Sequence, residues 1–235
     1  MIFRQIFDGF LNIFAKFSIK CVDFWMHAVY RPEAICVDSA KQTNFLDEPK
    51  IVIANHTSLC DPPFLMSVLR GKKAIIVAKD WFEKPSIHWI ISAAGGIPCD
   101  RFNFDTEWIL HAKRALKEGK SVVIFPEGKI REDGGTNEFK SGFAFLARTT
   151  GVPVVSIALD GNYRFLHKIH YVIDIPRKIE RTKGVPSGVD LENQSAKFRE
   201  RVVFLRERAV NGALQGDENV EILPEPKLQE METEQ

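Results

Sequence analysis

Along the 235-residue chain the spacing of apolar positions alternates between two periods. Residues 51–54, 74–78, 121–125, 152–159 and 170–175 are short runs rich in branched apolar side chains, with the length of buried strands. Helical spacing separates them. One helix opens at Pro62-Pro63, where a missing N–H costs nothing in the first turn. A second, mostly apolar, covers 85–94. The clearest spans 105–118, with Trp108, Ile109, Ala112, Ala115 and Leu116 on one face, Lys113, Arg114 and Lys117 closing it and Gly119 ending it. Further helices are predicted over 138–149 and from about Leu191, the last with Phe198, Val202, Leu205 and Ala209 on one side. Residues 33–49 are mixed and polar, a strand or a loop. Strands alternating with helices predict an α/β fold, a mainly parallel central sheet flanked by helices.

The first thirty residues differ in kind. Phe3, Ile6, Phe7, Phe10, Phe14, Phe17 and Cys21 recur at helical spacing, with Ile13 beside them and Phe24 and Trp25 beyond. Charges interrupt the stretch too often for a spanning helix or a cleaved leader. Such a stripe either packs on its own domain or lies in a membrane interface. The crowding of Phe at the extreme N-terminus favours the interface. Residues 1–30 are therefore expected to be an amphipathic membrane-docking segment, with Phe3, Phe7, Phe10, Phe14 and Phe17 as contacts.

Residues 31–214 would then hold the folded domain; a hydrophobic content of 45% with 18 Phe suffices for a sizeable core. From Gln215 to Gln235 seven acids face one lysine, with Pro224 and Pro226 and no apolar period, the composition of a disordered tail. The formal charge of +1 thus hides a tail of −6 and a body of +7. A basic body suits an anionic partner, although a solvated basic face is the simpler account. No nucleic-acid partner is expected. Four cysteines without pairing or zinc spacing indicate a reduced, cytosol-facing protein, peripheral or monotopic on the cytoplasmic face of a membrane.

Candidate chemistry sits where strands end, the usual edge for sites in open α/β sheets. The run at 51–54 stops at Asn55 and delivers His56 and Asp61 into a strand-to-helix turn. An Asp that accepts from one ring nitrogen fixes the tautomer and leaves the other free to take a proton. The plainer account is a turn histidine and a helix cap. Arg101 follows another strand and is read alone as a surface ion-pair partner. After 121–125 come Glu127 and Gly128, whose N–H can face an anion, with Lys129, Arg131 and Lys140 around them. Together these describe a base beside a phosphate clamp. Cys60 is a weak candidate for a thiol nucleophile. Residues 134–141 lack the second glycine of a nucleotide-binding loop, and His167 and His170 have no carboxylate or thiol cluster, so no metal site is expected.

Four segments in order, Asn55-His56-Thr57-Ser58-Leu59-Cys60-Asp61, Gly96-Ile97-Pro98-Cys99-Asp100-Arg101, Phe125-Pro126-Glu127-Gly128 and Val152-Pro153-Val154-Val155, resemble the blocks of the glycerolipid acyltransferases, in particular the small lysophosphatidic acid acyltransferases. The segment around Lys79 resembles a lysine-bearing stretch of the same family. The likeness covers roughly residues 51–159. It implies transfer of a fatty acyl group from acyl-CoA or acyl-carrier protein to a lysophospholipid hydroxyl, lysophosphatidic acid foremost, with both donors as substrates and no bound cofactor. His56 is implied as general base and Asp61 as its orienter. Asn55, Ser58, Lys79, Arg101, Glu127, Gly128, Lys129, Arg131 and Lys140 are implied at the substrate site. Two departures stand out: Gly128-Lys129-Ile130-Arg131 displaces the family's arginine by one position, and Ser156 stands where a second proline is common. They keep open an acceptor with another headgroup, an aminolipid or glycolipid. A non-catalytic lipid-binding module is the rival from outside enzymology, which the intact His56, Asp61 and Glu127 disfavour.

Overall fold

The structure, a computed structural model, describes residues 2–37, 48–101, 106–131 and 134–211, with side chains from residue 13 onward. The expected tail, 215–235, lies outside the described residues, as do the side chains of Phe3, Phe7 and Phe10.

Seven strands form one sheet: β1 (Glu33–Cys36), β2 (Ile51–Ala54), β3 (Lys73–Ala78), β4 (Gly96–Cys99), β5 (Ser121–Ile124), β6 (Val154–Leu159) and β7 (His170–Ile173). Their order is β1-β7-β6-β2-β5-β3-β4. Every pairing is parallel except β6 with β7. The mainly parallel α/β sheet is thus as the periodicity predicts. The central strands β2, β5 and β6 are buried at every position, which is why they read as continuous apolar runs.

The helices are α1 (Ile2–Tyr30), α2 (Asp61–Val68), α3 (Lys79–Phe82), α4 (Pro85–Ala93), α5 (Glu107–Lys117), α6 (Gly142–Thr150) and α7 (Ser187–Asn211). Because strand side chains alternate in direction, Ile51 and Ile53 join one core with α5, α6 and α7. Val52 and Ala54 join a second core with α2 and the end of α1, through Met26, Val29 and Tyr30. The sheet is covered on both faces.

Two helices start four residues away from where the sequence places them. The helix predicted over 138–149 begins only at Gly142, because the backbone of 136–140 is bonded to outside partners. Asn137 N–H donates to Glu127, Lys140 N–H to the Pro126 carbonyl, and the Arg199 guanidinium to the carbonyls of Thr136 and Asn137. The last helix starts at Ser187, four residues ahead of Leu191.

The α1 helix packs on α2 and α4. Ala15, Met26, Val29 and Tyr30 point inward, while Phe17 and Phe24 are 63% and 76% exposed. Phe14 is exposed in part and meets the Trp89 ring of α4 at 5.4 Å. Among the described residues no helix is long and apolar enough to cross a membrane.

Candidate active site

The turn from β2 into α2 is built around one buried carboxylate. A bare buried charge is costly, so its donors must be accounted for. Asp61 Oδ2 accepts the backbone N–H groups of Thr57 at 2.6 Å and Ser58 at 2.7 Å, and faces His56 Nδ1 at 3.0 Å. Its other oxygen accepts the Tyr163 hydroxyl at 2.6 Å and the Thr57 hydroxyl at 3.3 Å. All of these donate to it, so the carboxylate is fixed in place and aimed. With Asp61 accepting at Nδ1, the imidazole proton stays there and Nε2 carries the lone pair. The ring stacks on Phe125, centroids 4.4 Å apart, and its side chain is 15% exposed on the groove below.

Tyr163 carried no signal in the sequence. It lies 102 residues from Asp61, in the loop between β6 and β7, outside any recognisable motif. Burial and the Asp61 charge push its phenol far above the ordinary range, so it remains a donor. Gly161 lets that loop come close: at φ +73 it takes a left-handed conformation, and a Cβ there would lie 2.5 Å from Thr57 Oγ1.

Several residues expected at the substrate site have partners within the protein. Asn55 is fully buried, its amide donating to the Leu159 carbonyl at 3.0 Å and accepting the Leu159 N–H at 2.7 Å; it clips β2 to β6 and does not line the groove. Glu127 is buried, with one oxygen accepting His56 N–H at 2.8 Å and the other Asn137 N–H at 2.7 Å. Burial pushes its carboxyl upward, and these two amides pull it back. It braces the backbone of the base. Gly128 lines the groove, but its N–H closes a turn onto the Phe125 carbonyl, which needs the glycine's φ of +71. Ser58 accepts Cys60 N–H within the turn. Lys79 pairs with Glu83 across one helical turn and does not line the groove. Nor does Arg131, which is exposed. The thiol of Cys60 is turned to Tyr30 on the far side of the turn, away from the groove.

What remains at the strand ends is a groove of about 1490 Å³. Its apolar walls include Ile19 and Val22 of α1, Met66 of α2, Ile76 of β3, and Ile87 and Ile90 of α4. His56 opens onto it, and Arg101, Lys129 and Lys140 supply positive charge. The Arg101 guanidinium is anchored to Asp80 at 2.8 Å and to the Gly128 carbonyl at 3.2 Å. Lys140 donates to the Arg101 carbonyl at 3.2 Å, with its stem against Gly128. A proton acceptor, an apolar channel and a cationic rim are therefore contiguous. The arrangement suits an acyl chain and an anionic headgroup meeting at one base.

Comparison with known proteins agrees with that chemistry. The profile of the family described as Acyltransferase matches residues 35–160. The chain is 30% identical over 168 residues to a chloroplastic 1-acyl-sn-glycerol-3-phosphate acyltransferase of Arabidopsis thaliana, covering 70% of this chain and 46% of that protein. A chloroplastic 1-acyl-sn-glycerol-3-phosphate acyltransferase of Brassica napus is 34% identical over 167 residues, covering 70% and 47%. The chain thus spans about half the length of these relatives. In fold it is similar to the crystal structure of the 1-acyl-sn-glycerophosphate acyltransferase of Thermotoga maritima, with a TM-score of 0.58, 24% identity, and coverage of 86% of this chain and 88% of that one.

Proposed function

We propose, because the chain belongs to the acyltransferase family, that it transfers a fatty acyl group from acyl-CoA or acyl-carrier protein to the free hydroxyl of a lysophospholipid, converting lysophosphatidic acid to phosphatidic acid. The observation that carries this is the His56–Asp61 pair, 3.0 Å apart, opening onto a groove both apolar and cationic.

In this reaction His56 Nε2 takes the proton of the acceptor hydroxyl, and the oxygen adds to the thioester carbonyl. The tetrahedral adduct collapses with cleavage of the C–S bond, and the departing thiolate takes the proton back from the imidazolium. General-base help of this kind is worth about 10² to 10⁴ in rate. Asp61 holds the tautomer, and Tyr163 holds Asp61. Most of the turn's amides are already used: the N–H groups of His56, Thr57, Ser58, Cys60 and Asp61 bond within the protein, and of the turn only Leu59, which lines the groove, is left to offer an N–H to the oxyanion. The remaining stabilisation of the oxyanion, and that of a phosphate headgroup, is assigned to Arg101, Lys129 and Lys140, which line the same groove. Of the two candidates for the displaced arginine, Lys129 is favoured because it lines the groove, where it acts as a point charge without a bidentate fork. Proton transfer and addition–elimination call on no resident metal or cofactor; coenzyme A or the carrier protein enters as substrate.

The acceptor is a membrane lipid, so the groove must reach a bilayer. Docking is assigned to the α1 helix, as a peripheral or monotopic element on the cytoplasmic face, because Phe17 and Phe24 point outward while other α1 side chains wall the groove. A second acceptor class, an aminolipid or glycolipid, is favoured by one feature: Arg131 stands off the groove, leaving a lysine where a fork would select phosphate. The test is a panel of lysolipids with labelled acyl donor, read by product identity, on wild type and His56→Ala. Product from lysophosphatidic acid that vanishes in a folded His56→Ala variant supports the reaction. Acceptor binding without turnover in wild type would make the protein a lipid-binding module.

A further inference from the structure

Beyond α1, the structure holds a second apolar projection beside the site. The loop from Asp160 to Ile169 turns at its tip, where His167 N–H donates to the Arg164 carbonyl at 3.0 Å. Phe165 and Leu166 at that tip are 74% and 53% exposed. Scattered surface hydrophobics need no explanation, but these two are adjacent and held out on a braced loop. Leu166 has φ +61, a conformation rare for a residue without a small polar side chain. Its carbonyl accepts the Arg31 guanidinium at 2.8 Å, and Ile169 N–H donates to the Tyr30 carbonyl at 3.0 Å. The tip is therefore tied to the C-terminal end of α1. Ring contacts make the same link, from Trp25 to Tyr30 at 5.3 Å and from Tyr30 to Tyr163 at 5.4 Å. Charge completes the pattern. Arg164, His167 and Lys168 are exposed around the two apolar residues, with Arg31 behind them; of the acids beside them, Glu33 pairs with Lys168 and Asp160 accepts the N–H groups of Asn162 and His170.

We propose that Phe165 and Leu166, flanked by Arg164 and Lys168, form a second bilayer contact that inserts into the interface of anionic membranes alongside α1. Apolar side chains for the acyl boundary and cations for the headgroups are the two halves of interfacial binding. The proposal rests on the membrane reading of α1 given above. Its geometric consequence is that the bilayer is gripped on both sides of Tyr30. The same short loop reaches the membrane with Phe165 and Asp61 with Tyr163.

The test is sedimentation of the full chain with vesicles of phosphatidylglycerol and phosphatidylcholine, beside vesicles of phosphatidylcholine alone. Phe165→Ser with Leu166→Ser is expected to lower the partition coefficient on anionic vesicles about five- to tenfold, the order expected for losing partly buried apolar side chains. Leu166→Gly is a second variant that removes the side chain while relaxing the left-handed backbone, so the fold is kept; it should lower binding severalfold. Arg164→Glu should weaken binding at low salt and converge on wild type at high salt. Phe17→Ser with Phe24→Ser reports on α1 separately. If wild type stays in the supernatant, membrane docking as a whole fails. If wild type sediments, the α1 variant does not, and both loop variants match wild type, the loop contact alone is overturned. Self-association of wild type that the loop variants abolish, with vesicle binding intact, would make the tip a contact between copies and equally overturn the proposal.

Discussion

One oxygen of Glu127 accepts the backbone N–H of His56 at 2.8 Å, and the other accepts that of Asn137 at 2.7 Å. Both partners are donors, so Glu127→Gln must set an NH₂ against an N–H. The expected result is loss of one bond and an unsatisfied donor, about 1–3 kcal/mol. In a chain of this size each kcal/mol lowers Tm by about 2–4 °C. Activity should fall at the same time, because the displaced backbone carries the base. A Glu127→Gln variant with wild-type Tm and wild-type kcat would refute the bracing role.

Tyr163→Phe keeps the ring that packs on Tyr30 and Phe64 and removes the hydroxyl bound to Asp61. Stability should fall by about 1–3 kcal/mol, because the buried Asp61 carboxylate loses a donor. The kcat should drop about tenfold with KM for the acceptor nearly constant, the pattern of an interaction that acts on the chemical step. The Nδ1–H resonance of His56 in proton NMR should broaden as the Asp61 carboxylate loosens. An unchanged resonance with unchanged kcat would reduce Tyr163 to packing.

The two cations after Gly128 should separate cleanly. Lys129→Ala is expected to raise acceptor KM about five- to thirtyfold, as for a lost charge-assisted contact of 1–2 kcal/mol. Arg131→Ala should leave it near wild type, since Arg131 does not line the groove. The reverse order in initial-rate assays across acceptor concentrations would reassign the headgroup clamp.

Lys73 lines the groove, and burial holds its ammonium below the usual lysine range, Asp23 opposing. Its folded value lies under its unfolded value of 10.5, so between the two the unfolded chain binds more protons. Wild-type stability should therefore gain with pH as it approaches 10.5, relative to Lys73→Met, which cannot titrate. Thermal melts of both proteins across pH 7–10 check the slope; parallel curves would mean that Lys73 is not desolvated.

What was readable in the sequence follows the physics of range. His56 and Asp61 are five residues apart across one turn, and the flanking branched run and Pro62-Pro63 announce that turn, so their pairing could be foreseen. The buried strands β2, β5 and β6 announce themselves by composition, whereas β1, at the sheet edge and only partly buried, hides in a polar stretch. Glu127 was legible as a site residue but not in its role, because the N–H groups it serves belong to the distant His56 and Asn137. The start of α6 was misplaced for a related reason. Local propensity favours helix over 138–141, and tertiary bonds from Glu127, Pro126 and Arg199 override it.

The Asn55–Leu159 clip closes a gap of 104 residues, and Tyr163 meets Asp61 across 102. The first fastens the end of β2 and the second the turn that follows it, and β2 lies between two strands arriving much later in the chain. Contacts so distant in sequence must close large loops before they contribute, which slows folding and delays local order. The catalytic turn is made early in synthesis and becomes rigid late. A nascent chain that has passed residue 100 already carries His56 and Asp61, yet it lacks the strand and the hydroxyl that hold them in register. Competence for proton transfer is thus a property of the finished sheet, acquired only when the ribosome has delivered Tyr163.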